Sequence, residues 1–124
     1  SQKIGRRWGK AFNLLENVYK FPDNTIEKLI SNHQEQIMGL QASTWAERIA
    51  DTKRLYYMLF PRLAAIAEDG WVQTEKKNYG KFEFSVNKFL KYLDSKGINY
   101  FNPFNIDSTP EPWGPTKADV IAEG

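Results

Sequence analysis

The side chains that could carry out catalysis are few and lie apart in the sequence. The chain has one histidine, His33, and no cysteine. This composition excludes thiolate nucleophiles, cysteine zinc sites, disulfide bonds and histidine-rich metal sites. His33 falls on the apolar face of a predicted helix, where a buried histidine bonded to a neighbour is the simpler interpretation. Glu35 projects from another face of that helix, so the two side chains form no acid–base pair.

The other candidate groups lack the sequence context that their chemistry requires. They are three serines and three carboxylates: Ser43, Ser85, Ser108, Glu68, Asp69 and Glu75. None of the serines has the flanking pattern of a nucleophile elbow, and the carboxylates do not have a recognisable metal-site spacing. Gly5 and Gly9 lack the Lys-Ser/Thr pair of a phosphate-binding loop. We therefore predict a protein that is not an enzyme and has no cofactor.

The distribution of charge is the feature that predicts a partner. The net charge is only +2, but residues 1–20 carry five basic side chains against one acidic, and residues 71–100 carry six lysines against three acids. Clustered basic side chains bind phosphates without regard to sequence. The side chains expected to bind nucleic acid are Lys3, Arg6, Arg7, Lys10, Lys76, Lys77, Lys81, Lys88 and Lys91. The predicted partner is nucleic acid, with DNA favoured over RNA.

The elements that must position these side chains are helices. Apolar residues recur with a period near 3.6 in residues 1–20, 26–40, 45–66 and 85–96, as in amphipathic helices. Pro61 predicts either a kink or two abutting helices within the third of these segments. The sequence thus predicts a mostly α fold, a small bundle of four to five helices.

Local signals predict the middle of the core and the ends of the helices. Residues 55–60 are apolar on nearly all sides and are expected at the centre of the core. Ser85 is expected to begin the last helix and Gly97 to end it. Residues 71–84 fit either a β-hairpin or a long basic loop.

The chain divides into three predicted parts: a basic amphipathic helix over 1–20, a helical core domain over 21–106, and an extended, Pro-rich acidic arm over 107–124. Near and within the arm, Phe101, Phe104 and Trp113 are candidates for a protein interface and for self-association. The alternative is that the two phenylalanines fold back as a lid on their own core.

Membrane insertion and secretion are not predicted. No apolar run reaches the ~18 residues that a membrane helix needs, and no signal-peptide pattern opens the sequence. The expected location is the cytoplasm or a virion.

Two resemblances favour nucleic acid as the partner. A basic helix with Arg6-Arg7-Trp8-Gly9-Lys10, followed by a helical bundle and a trailing arm, resembles the DNA-packaging coat proteins of filamentous archaeal viruses. This resemblance implies a virion subunit whose N-terminal helix lines the genome. Residues 63–72 followed by a hairpin resemble the recognition helix and wing of a winged-helix DNA-binding domain. The competing hypothesis is a helical adaptor that binds only protein.

Overall fold

The computed structural model describes residues 14–22, 26, 28, 31–44, 46 and 49–112. The α-helices of this part of the chain include α1 (Leu15–Tyr19), α2 (Thr52–Leu59), α3 (Arg62–Trp71) and α4 (Tyr79–Ser95). Short 3-10 helices lie at Gln34–Gln36, Thr74–Lys76 and Ile106–Ser108. The described residues contain no β-strand, and the prediction of a mostly α fold is confirmed. The remainder of the predicted N-terminal helix, residues 1–13, and the arm beyond residue 112 lie outside the described residues.

Pro61 divides the long apolar segment into two abutting helices, α2 and α3. Of the two predicted outcomes, a kink or two helices, the second is found. The Asp51 carboxylate begins α2 by accepting a hydrogen bond from the backbone N–H of Arg54 at 2.7 Å. Helix α2 ends at Leu59, and α3 begins immediately after the proline. A proline has no N–H to donate to the preceding turn, so the chain changes direction here and begins a second helix.

The β-hairpin considered for residues 71–84 is not formed. Helix α3 continues to Trp71, a 3-10 turn follows at Thr74–Lys76, and α4 begins at Tyr79. The reason is a side-chain cap, since the Asn78 Oδ1 atom accepts a hydrogen bond from the backbone N–H of Lys81 at 3.0 Å. This cap begins the helix six residues before Ser85, the predicted start.

Helix α4 ends where the sequence predicted, at Gly97. This glycine adopts a φ of 66°, the left-handed conformation that closes many helices. The backbone N–H of Ile98 donates to the carbonyl of Leu93 at 3.0 Å, and that of Gly97 donates to the carbonyl of Asp94 at 3.0 Å. These two bonds satisfy carbonyls that the end of the helix would otherwise leave open.

The core is centred on α4, not on residues 55–60 as predicted. Within residues 55–60, Tyr57 is buried, and its neighbours are only partly covered. The main cluster brings α1, α3, α4 and the segment after α4 together: Leu15, Val18, Tyr19, Ala65, Phe82, Val86, Leu90, Leu93 and Tyr100. Tyr19 stacks on Phe82 with ring centroids 4.5 Å apart, which joins α1 to α4.

The second predicted helix, over 26–40, is not formed in residues 31–40. Apart from the 3-10 turn at Gln34–Gln36, residues 31–44 are non-helical, and every one of them is exposed. A short amphipathic segment forms a stable helix mainly when its apolar face is packed, and here that face has no cover among the described residues. No helix in the described part of the chain is long and apolar enough to cross a membrane.

Candidate functional site

A cavity of about 510 Å³ lies between α1, the non-helical residues 39–44 and the helix pair α2–α3. Its lining consists of Asn17, Val18, Phe21, Gly39, Leu40, Gln41, Ala42, Ser43, Thr44, Met58, Leu59, Arg62, Leu63, Ile66 and Asp69. Apolar walls with a few polar groups are typical of sites that bind small organic molecules. The cavity is therefore the candidate binding site in the described part of the chain.

Arg62 is the basic side chain of this lining. It lies at the start of α3, where its guanidinium carbon is 5.5 Å from the centre of the Phe101 ring. Burial lowers the pKa of Arg62 below its usual value, while the nearby Tyr57 acts in the opposite direction. The guanidinium thus adds positive charge to a largely apolar wall, where water screens it weakly.

Asp69 is the acidic side chain of the lining, and Lys77 holds it. The carboxylate is 2% exposed and forms a salt bridge with the Lys77 ammonium, which is 12% exposed. Burial raises the pKa of the Asp69 carboxyl, whereas the hydrogen bond and charge of Lys77 lower it. Lys77 Nζ also donates to the carbonyls of Tyr19 at 3.3 Å and Phe21 at 2.8 Å. One ammonium group therefore ties the end of α1 to the end of α3.

Lys77 differs in its surroundings from the other lysines that were predicted to bind nucleic acid. Lys76, Lys81, Lys88 and Lys91 are exposed, whereas Lys77 is directed into the protein. Lys88 Nζ lies 4.5 Å from the centre of the Phe84 ring on the same helix. The remaining predicted residues, Lys3, Arg6, Arg7 and Lys10, lie outside the described residues.

The predicted protein-interface residues are placed mainly inside the fold. Phe101 is 2% exposed, and its ring centroid is 5.7 Å from that of Tyr57. Phe104 is partly buried and packs against the core. Both positions match the alternative in which these rings fold back on their own core. Trp113 lies outside the described residues, and an interface role for the three stays a prediction.

The candidate catalytic groups of the sequence are not brought together. His33 is exposed, so the interpretation of a buried histidine is wrong. Ser43 lines the cavity, Ser85 lies within α4, and the Ser108 hydroxyl donates to the carbonyl of Asn105 at 2.7 Å. Among the described residues, no three histidine or acidic side chains lie close enough to hold a metal ion.

Comparison with known proteins identifies the family. Residues 1–74 match the model of the glycosyl hydrolase family 20 catalytic domain. This match covers more than half of the chain and contains every residue that lines the cavity. The chain belongs to glycosyl hydrolase family 20. No solved structure matches it significantly.

Curated relatives agree with this membership. A β-hexosaminidase of Porphyromonas gingivalis is 36% identical over 90 residues, which are 72% of this chain and 11% of the relative. A β-N-acetylhexosaminidase of Cellulomonas fimi is 32% identical over 98 residues, 79% of this chain and 19% of the relative. A chitooligosaccharidolytic β-N-acetylglucosaminidase of Ostrinia furnacalis is 33% identical over 69 residues, 56% of this chain and 11% of the relative. The chain therefore spans less than a fifth of the length of these family 20 relatives.

Family membership overturns the function predicted from charge. The resemblance to viral coat proteins is wrong, and so are the prediction of a non-catalytic nucleic-acid-binding protein and that of nucleic acid as the partner. The winged-helix and adaptor alternatives are not supported either. The prediction that the chain is not an enzyme is also wrong, because family 20 is a family of glycosidases.

Sequence reasoning missed the cavity itself. Two signals pointed to it: the uncharged run from Gln36 to Ala46, which supplies a non-helical wall, and an arginine, Arg62, at the start of an otherwise apolar segment. Because the uncharged run was interpreted as the end of one helix and the start of another, its exposed, non-helical residues were not expected.

Proposed function

We propose that this chain forms part of the catalytic domain of a glycosidase that acts on β-linked N-acetylhexosaminides. The observation that carries the proposal is the family 20 match over residues 1–74, together with relatives that are all named for this activity. The substrate class is taken from the names of those relatives, of which this chain covers a minor part.

The lining of the cavity suits a sugar. A pyranose ring carries hydroxyl groups, which need hydrogen-bond partners, and an apolar face, which packs against hydrocarbon. Asn17 offers an amide, and Met58 and Leu59 offer apolar surface on the opposite wall. A volume of about 510 Å³ lies within the range of small-molecule sites. We therefore assign the cavity a role in binding and orienting the sugar.

Asp69, the carboxylate of the cavity lining, is not assigned an acid–base role. Glycosidases commonly use two carboxylates, and family 20 is among the families in which the substrate itself assists. The Asp69 carboxylate forms a salt bridge with Lys77, which holds the end of α1 to the end of α3. Proton transfer to the leaving group is therefore not assigned to Asp69.

A chimera tests the proposed activity. The aligned stretch of the Porphyromonas gingivalis β-hexosaminidase is replaced by the matching residues of this chain, and hydrolysis of a chromogenic aryl β-N-acetylglucosaminide is measured. We expect the chimera to hydrolyse this substrate. A chimera that folds cooperatively yet shows no hydrolysis would contradict the proposal.

A pair of matched variants in the chimera tests the role of the cavity separately. Asn17→Leu removes a lining amide, whereas Asn32→Leu changes an exposed asparagine outside the lining. We expect Asn17→Leu to raise KM about tenfold, the worth of one hydrogen bond, with kcat little changed. Equal KM values for the two variants would contradict the role of the cavity in sugar binding. They would leave the proposed glycosidase activity, which the chimera tests, unaffected.

A further inference from the structure

The segment after α4 crosses back over α2 and is attached to it by side chains of that helix. We call residues 99–112 the latch. Arg54 Nη2 forms a salt bridge with Glu111 Oε1 at 2.8 Å, and Arg54 Nη1 donates to the carbonyl of Pro112 at 2.7 Å. One guanidinium thus binds a carboxylate and a neighbouring carbonyl, which a planar fork of donors does well.

The ion pair of the latch is shielded from solvent. Arg54 is 4% exposed and Glu111 is 16% exposed. A pair of this kind is costly to break, because the remaining charge loses its partner in a site that water reaches poorly. Ordinary surface ion pairs contribute little, so the burial of Arg54 distinguishes this contact from the exposed pair of Lys20 and Glu16.

Further bonds fasten the latch along its length. The Tyr57 hydroxyl donates to the carbonyl of Thr109 at 3.0 Å, one turn of α2 beyond Arg54. The Asn99 amide donates to the carbonyl of Lys53 at 3.1 Å. The backbone N–H of Phe101 donates to the carbonyl of Phe60 at 3.1 Å. The latch therefore contacts both ends of α2.

The latch also fixes its own shape. The backbone N–H of Asn102 donates to the Thr109 hydroxyl at 2.8 Å, which closes residues 102–109 into a loop. The Asn102 side-chain oxygen accepts from the backbone N–H groups of Phe104 at 3.0 Å and Asn105 at 3.1 Å. A loop that is closed before it docks loses less conformational entropy when it binds to α2.

From these contacts we infer that the latch positions helix α2, with Arg54 as the positioning residue, and thereby fixes the cavity wall that Met58 and Leu59 form. The latch lies wholly beyond residue 74, where the family match ends, and yet it holds an element within that match. The inference concerns the placement of α2, so it stands whether or not the cavity binds a sugar.

Amide hydrogen exchange on the full chain tests the inference. Three backbone amides serve as reporters: Leu55 in α2, bonded to Asp51, Asn102 in the latch, and Ile98 at the end of α4. We expect Glu111→Ala to speed exchange at Leu55 and Asn102 by about tenfold to a hundredfold, the worth of a charge-assisted bond, and to leave Ile98 unchanged. Glu111→Gln keeps an acceptor for Arg54 and is expected to give a smaller increase.

The matched control is Glu75→Gln, which neutralises an exposed carboxylate. It is expected to leave all three reporters at their original rates. Equal acceleration of all three amides in Glu111→Ala would show that Glu111 contributes to global stability without a local positioning role. Unchanged rates at Leu55 and Asn102 would show that the latch does not hold α2. Either result overturns the inference.

Discussion

Replacing Lys77 by methionine is expected to destabilise the protein more than any ordinary lysine substitution. Lys77 Nζ donates to two backbone carbonyls and forms a salt bridge with Asp69, a carboxylate that is 2% exposed. Methionine keeps most of the length of the side chain and its apolar contacts but leaves the carboxylate without its cation. Removing one partner of a buried pair costs about 3–5 kcal/mol. We expect a loss of about 3 kcal/mol at neutral pH, the lower end, because Lys77 itself is 12% exposed.

The size of this loss should depend on pH in a defined direction. In the folded protein, the pKa of Asp69 is raised by burial above its usual value of 3.8, and Lys77 opposes that rise. Without Lys77 the folded-state pKa of Asp69 rises further. A carboxyl with a raised folded-state pKa favours folding when protonated, and this contribution is lost as the pH rises through that pKa. The loss caused by Lys77→Met is therefore smallest in acid and grows toward neutral pH.

Urea unfolding followed by circular dichroism, repeated from acid to neutral pH, measures this loss. Lys76→Met changes an exposed neighbouring lysine and should alter the free energy of unfolding by less than about 0.5 kcal/mol. Adding Asp69→Asn to Lys77→Met removes the stranded charge and should recover part of the loss. Unfolding free energies for Lys77→Met that match those of Lys76→Met, or a loss that does not vary with pH, would refute the reasoning.

Three further predictions concern Tyr100 and two glycines, Gly97 after α4 and Gly70 within α3. Burial and a hydrogen bond to Asp94 raise the pKa of Tyr100 from 10.0 to about 12, so stability should fall by up to ~1.4 kcal/mol per pH unit as the pH rises between these values. Tyr100→Phe should reduce the fall of stability in urea unfolding at alkaline pH without abolishing it, because burial also raises the pKa of Tyr19, Tyr57 and Tyr79, and an unchanged slope would contradict the assignment. Gly97→Ala should lower the free energy of unfolding by about 1 kcal/mol through its positive φ alone, since no atom lies within 4 Å of the added Cβ. Gly70→Ala, which adds an equally unobstructed Cβ within α3, should instead stabilise by up to ~1 kcal/mol, and urea unfolding of both glycine variants at neutral pH measures the two changes.

Features of the fold that depend on one or two residues could be predicted from the sequence. Pro61 predicted a break, and α2 and α3 abut there because a proline cannot donate a backbone hydrogen bond. Gly97 predicted a helix end, which its positive φ and the bonds around it provide. Asn78 carried an equally local signal, but it lies within residues 71–84, which were expected to form a hairpin or a loop, and the start of α4 was therefore placed too late, at Ser85.

The candidate site could not be predicted because it depends on contacts between distant parts of the chain. Lys77 counts as a surface charge in the sequence, and only the approach of Tyr19, Phe21 and Asp69 turns it into an internal cross-link. The function was missed for a related reason. Clustered basic residues predict only a general tendency to bind anions. Membership of a glycosidase family depends on the identity of particular residues, which periodicity and composition do not reveal.

The exposed, non-helical residues 37–44 have a practical consequence for handling this chain. They contain no charged residue, and Ile37, Met38 and Leu40 expose 45%, 102% and 42% of their surface. Natural sequences commonly place charged residues beside such uncharged stretches, because exposed apolar side chains favour association between molecules. We therefore expect the chain to aggregate at high concentration through contacts between these residues of different molecules. Met38→Lys, which changes a fully exposed residue outside the cavity lining, is the substitution with which to keep the chain in solution.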